Sequence, residues 1–67
     1  MEALDGNGIK LHEGDRVYSY DYINGKVERV YGTLRENTDH RDVADWYIEY
    51  DDGNECAVLV MSLVFKA

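Results

Sequence analysis

Residues 46–50 read Trp46-Tyr47-Ile48-Glu49-Tyr50, and this alternation places Trp46, Ile48 and Tyr50 on one face of a β-strand with Tyr47 and Glu49 on the other. The first face is the larger and more apolar, so it is expected to point inward. Runs rich in β-branched and aromatic residues predict further strands at 9–11, 16–20, 26–35 and 56–60, with a short closing piece at 64–65. Glycine clusters with Asn, Asp or Glu between them, at Asp5-Gly6-Asn7-Gly8, Glu13-Gly14-Asp15, Asn24-Gly25 and Asp51-Asp52-Gly53-Asn54. Glycine supplies the positive φ of tight turns, so four such signals in a short chain describe a meander of strands.

Two runs depart from simple alternation. Val27 and Val30 stand three apart, whereas Val30, Gly32 and Leu34 stand two apart; a bulge near Glu28 and Arg29 restores the period. Gly32 would let that strand bend, as the corner of a small barrel requires. From Cys56 through Ala57, Val58 and Leu59 to Val60 every residue is apolar. Such a run predicts a strand covered on both faces, either central or at an interface. No segment has a helical period. The best candidate, residues 39–46, offers only Val43 as a large apolar residue before Trp46, and holds at most one helical turn in a loop. Met61-Ser62-Leu63 reads as a tight turn of 3-10 type. The expected fold class is all-β, a small barrel of five to six antiparallel strands, with residues 1–67 as one domain and residues 1–8 as an N-terminal arm or turn.

Composition narrows the partners more than the fold. The hydrophobic share is 45%, which sets the chain apart from disordered sequences. A chain of 67 residues buries only ~60% of its unfolded surface, enough for one core. A single cysteine excludes an internal disulfide, so a reducing, cytoplasmic setting is expected. No apolar run approaches the ~18 residues of a membrane span, and the opening Met1-Glu2-Ala3-Leu4-Asp5-Gly6 lacks the basic and apolar regions of a signal peptide. Seven basic against fourteen acidic residues give a net charge of −7, the wrong sign for direct nucleic-acid binding, which draws on phosphate neutralisation. The whole excess lies between Glu36 and Glu55, where Glu36, Asp39, Asp42, Asp45, Glu49, Asp51, Asp52 and Glu55 face one base, Arg41. An acidic patch of this kind steers cationic partners.

The segments Leu11-His12-Glu13-Gly14-Asp15-Arg16-Val17, Asn24-Gly25-Lys26-Val27, Trp46 to Gly53 and Met61-Ser62-Leu63-Val64 form a series that resembles the small SH3-like barrels, and among them the Tudor-like group, over residues 9–66. The resemblance implies an SH3-like barrel and, in members that bind methylated lysine or arginine, an aromatic cage that holds a cation. Carried over by position, Tyr20 or Tyr22 falls near one cage position, Tyr50 on another, and Asn54 on the polar position after the turn. At the aromatic position early in the second strand this chain has Glu28 or, after a bulge, Tyr31. The entry Gly14-Asp15-Arg16-Val17 is also similar to that of the plasmid-borne dihydrofolate reductases. Their Val-Gln-Ile-Tyr stretch is replaced here by Ala57-Val58-Leu59-Val60, which implies a shared scaffold without the activity.

Candidate chemistry is sparse. His12, His40 and Cys56 lack metal-ligand spacing, and Cys56 in an apolar strand reads as an inert core residue. Asp39-His40-Arg41-Asp42 sets carboxylates beside an imidazole, but on a stretch expected to be a solvated loop, whereas acid–base catalysis needs fixed geometry. Asp5-Gly6-Asn7-Gly8 begins like a calcium loop, then continues Ile9-Lys10 without the later oxygen ligands. No metal, cofactor or catalytic residue is expected. The expected function is a non-catalytic binding or adaptor module. Tyr20, Tyr22, Trp46 or Tyr47, and Tyr50 would build its contact surface, with Asn54 beside them and Asp21, Glu49, Asp51 and Asp52 as an acidic rim selecting a basic peptide or protein patch. The apolar strand at 56–60 would pair copies into a homo-oligomer. The alternatives are a small structural or host-interaction protein of a phage or gene cassette, and an oligomer-built enzyme of reductase type.

Overall fold

The hairpin encoded around Asn24-Gly25 organises the molecule. In the computed structural model, which describes residues 3–38 and 44–67, Asn24 and Gly25 have φ of 52° and 80°, the paired positive values of a two-residue hairpin turn. Around them β3 (Arg16–Ile23) and β4 (Lys26–Glu36) pair antiparallel from Ile23 opposite Lys26 back to Arg16 opposite Thr33. β5 (Trp46–Tyr50) joins β4, β6 (Glu55–Val58) joins β5, and β7 (Phe65–Lys66) joins the far side of β3, giving the order β6-β5-β4-β3-β7. β1 (Ala3–Leu4) and β2 (Lys10–Leu11) form a separate two-stranded ribbon, and Met61–Leu63 is the 3-10 turn its sequence implied.

The all-β class stands, with seven described strands in two sheets, but the sheet does not close into the expected barrel. β6 and β7 lie at opposite edges and do not bond to each other. Closure requires edge strands long enough to pair; β7 supplies two residues, and both pair with β3. The bulge expected near Glu28 and Arg29 is absent too, because the β3–β4 register runs without a slip. Residues 20–29 are all exposed, so this end of the hairpin projects beyond the core and no buried face imposes a period on Val27.

Register sets the faces. Val17 opposite Gly32, and Leu34 opposite Ile48, share the inner side of the sheet with Trp46, as the alternation at 46–50 implied. Ala3 and Leu11 from the ribbon, together with Val64, pack on Val17, Leu34, Trp46 and Ile48 to make the core. The buried Asp5 carboxylate fastens this lid: it accepts the backbone N–H of Asn7 and Ile9 at 2.8 Å and of Lys66 at 2.9 Å. These bonds, led by that from Lys66, hold its pKa below the ordinary carboxylate value. The Asp5-Gly6-Asn7-Gly8 segment is thus a turn between β1 and β2.

The lid covers only half of the inner face. Beyond it lie Ser19, Asp21, Val30, Tyr50 and Cys56, none of them buried. This corrects the central placement of 56–60: within the chain β6 is an edge strand, Cys56 is exposed, and Leu59 and Val60 are 73% and 53% exposed. An unbroken apolar run shows that both faces are apolar, and cannot say that either has a cover. The possible helical turn at 39–46 falls mostly outside the described residues, as do His40, Arg41 and the Asp39-His40-Arg41-Asp42 cluster. Among the described residues no helix is long and apolar enough to cross a membrane.

Candidate functional site

The uncovered half of the inner face forms a hollow of about 380 Å³ lined by Ser19, Tyr20, Asp21, Val30, Tyr50, Asp52, Asn54, Glu55 and Cys56. Tyr50 stands at the end of β5, where its hydroxyl lies 3.0 Å from Ser19 Oγ across the sheet. Gly53, at φ 92°, turns the chain back into β6. Tyr50 N–H donates to the Asn54 carbonyl, and Asp52 accepts both the Asn54 backbone N–H and its side-chain amide, at 2.9 and 3.0 Å. These local bonds set Asp52 and Asn54 on the wall of the hollow.

Its electrostatics are one-sided. Asp21, Asp52 and Glu55 are among the lining residues and no Lys or Arg is; Asp21 lies on the same face as Val17, whereas Glu55, directly opposite Glu49, directs its carboxylate to the outer face. Among the described residues none of the three enters an ion pair, whereas Glu49 and Asp51, placed by sequence on the same rim, are neutralised on the opposite face. Arg35 Nε donates to Glu49 at 3.0 Å, and the Arg16 guanidinium grips Asp51 through two bonds of 2.7 and 2.8 Å. The Arg16 bonds push the Asp51 pKa down, and Arg16 in turn is held more firmly protonated.

The structure therefore brings together Tyr20, Tyr50, Asp52 and Asn54 of the residues marked in the sequence, adds Asp21 from the same rim, and supplies Glu55 and Cys56, which sequence reasoning did not assign to a site. Trp46 is in the core. Tyr47 lies opposite Arg35 and Ala57, on the outer face, and Tyr22 is 71% exposed on the projecting hairpin, opposite Val27. Glu55 reaches the hollow only as the residue that follows Asn54 into β6, because its register partner is Glu49 on the outer face.

The outer face carries a second aromatic grouping. Tyr18 lies opposite Tyr31, and Tyr20 opposite Arg29. Tyr18 and Phe65 stack with centroids 5.5 Å apart, Tyr20 meets both edge-on, and the Arg29 guanidinium sits 4.4 Å from the centre of the Tyr18 ring. Burial pushes the Tyr18 pKa up, partly offset by Arg29, and the Tyr31 and Tyr20 hydroxyl oxygens, accepting from the guanidinium, keep Arg29 more firmly protonated. This cluster already holds a cation of its own. Tyr20 joins it to the lip of the hollow.

Among the described residues no three His, Cys, Asp or Glu side chains are grouped so as to hold a metal ion. Comparison with protein-family models, with curated proteins and with solved structures finds no match to this chain.

Proposed function

We propose that the protein is a non-catalytic binding module that receives a basic side chain of a peptide or protein in the hollow beside Tyr50. The observation that carries this reading is that Asp21 and Asp52 line one concavity of about 380 Å³ whose lining residues include no Lys or Arg. A cation entering it meets the attractive field of these two carboxylates, which raises the encounter rate and makes it sensitive to salt. The concavity is within the ~300–1,000 Å³ typical of ligand pockets.

Magnitudes limit what the hollow does alone. Exposed ion pairs contribute about 0.2–1 kcal/mol each, and a solvent-open cation–aromatic contact about 0.5–1 kcal/mol. Two pairs and one such contact sum to about 1–3 kcal/mol, below the ~4.1 kcal/mol of a millimolar complex. A short lysine- or arginine-containing peptide should therefore bind weakly. In a ¹⁵N-resolved titration, the amides of Asp21, Asn54 and Glu55 should shift together at millimolar peptide and lose the response as salt rises from 50 to about 500 mM. An unchanged spectrum at low salt would remove the proposal.

A further inference from the structure

A second concavity of about 490 Å³ adjoins the hollow, and Ser19, Tyr20, Tyr50 and Cys56 line both. No charged residue lines this groove. Leu59, Val60 and Leu63 project on its far side, and Leu63 is 65% exposed. Acidic hollow and apolar groove thus form one continuous trough on the uncovered half of the inner face, anionic at one end and greasy at the other.

We infer that the trough takes a bipartite peptide: a lysine or arginine side chain in the hollow and adjacent aliphatic side chains in the groove. The inference rests on the proposed binding of a basic side chain and names the rest of the ligand. Charge decides between occupants. A second copy of this chain brings a further net charge of −7 against the anionic end of the trough, whereas a basic peptide is attracted to that end and its aliphatic residues meet no charge in the groove. Weak pairing at the hollow leaves affinity to be supplied by apolar burial, and one or two aliphatic side chains removed from water at the groove should tighten binding at least about tenfold.

The test compares two capped peptides, one with a single lysine among glycines and one in which valine and leucine follow the lysine, titrated into the wild-type chain and two exposed-site variants, Asp21→Asn and Leu63→Ser. The second peptide should bind at least about tenfold more tightly. Leu63→Ser should erase most of that difference while leaving the lysine–glycine peptide unaffected, and Asp21→Asn should weaken both. Equal binding of the two peptides to wild type overturns the bipartite ligand and leaves the basic-side-chain reading standing. Failure of both peptides to bind overturns the two together. Sedimentation of the free chain supplies the remaining arm: a dimer that Leu63→Ser dissolves would assign the groove to a second copy and overturn the inference.

Discussion

Gly32→Ala probes the junction between core and site. Gly32 lies opposite Tyr50 in the β4–β5 register, and a Cβ built there would approach the Glu49 carbonyl oxygen and Ile48 Cγ2 to 2.6 Å and Tyr50 Cα to 3.0 Å. Two of these three atoms are backbone, so no rotamer change relieves the crowding and β5 must move away from β4 beside Tyr50. Forcing one extra carbon into a packed site costs about 1–3 kcal/mol. For a domain of this size each kcal/mol lowers Tm by about 4–8 °C, so the midpoint should fall by about 4–24 °C. Thermal melts followed by near-ultraviolet circular dichroism measure it, and amide spectra locate the displacement at residues 48–50 and 54. Gly53→Ala is the control: its φ of 92° imposes backbone strain, but its Cβ meets no atom within 4 Å, so its disturbance should stay within the turn. A Gly32→Ala midpoint within 2 °C of wild type, with unshifted Tyr50 resonances, would refute the close approach of the strands and the positioning of Tyr50 that depends on it.

Three other outcomes follow from the packing. The Asp5 pKa lies below its ordinary value of 3.8 in the folded chain, so its contribution is fully present above that value and is lost as pH falls through the lower folded one; urea midpoints should decline below about pH 4, and Asp5→Asn should flatten that decline. Leu34 is fully buried between β3 and β5, and Leu34→Ala should cost about 2–5 kcal/mol in urea unfolding; a loss under 1 kcal/mol would place the core elsewhere. Cys56 is an exposed free thiol lining the trough, so a thiol reagent should label it in the native state, and saturating basic peptide should slow the reaction. Labelling that begins only in denaturant would restore the buried-strand reading of residue 56.

The local features of this fold were legible because each is written within a few residues. Asn24-Gly25 specifies a two-residue turn, the period of two at 46–50 sorts Trp46, Ile48 and Tyr50 inward, and the 3-10 turn falls at Met61–Leu63. What stayed hidden depends on contacts between distant segments. The charge left over in the hollow is set by which acids find bases, and Asp51 is neutralised by Arg16 from 35 positions away, a pairing that only the assembled β3–β4–β5 register defines. The same applies to Cys56: its apolar neighbours describe the surface of β6, while the open edge results from the shortness of β7 and its attachment to β3. Composition identified an acidic surplus, and the fold decides that Asp21 and Asp52 remain unneutralised beside the hollow where Glu49 and Asp51 are paired with bases.

Carboxylate carbons report that distinction most directly. In ¹³C-labelled protein near neutral pH, addition of the lysine–valine–leucine peptide at low salt should shift the side-chain carboxylate resonances of Asp21 and Asp52 and leave those of Glu49 and Asp51 in place. Shifts spread evenly over all the acids, or confined to Glu49 and Asp51, would contradict a cation seated beside Tyr50.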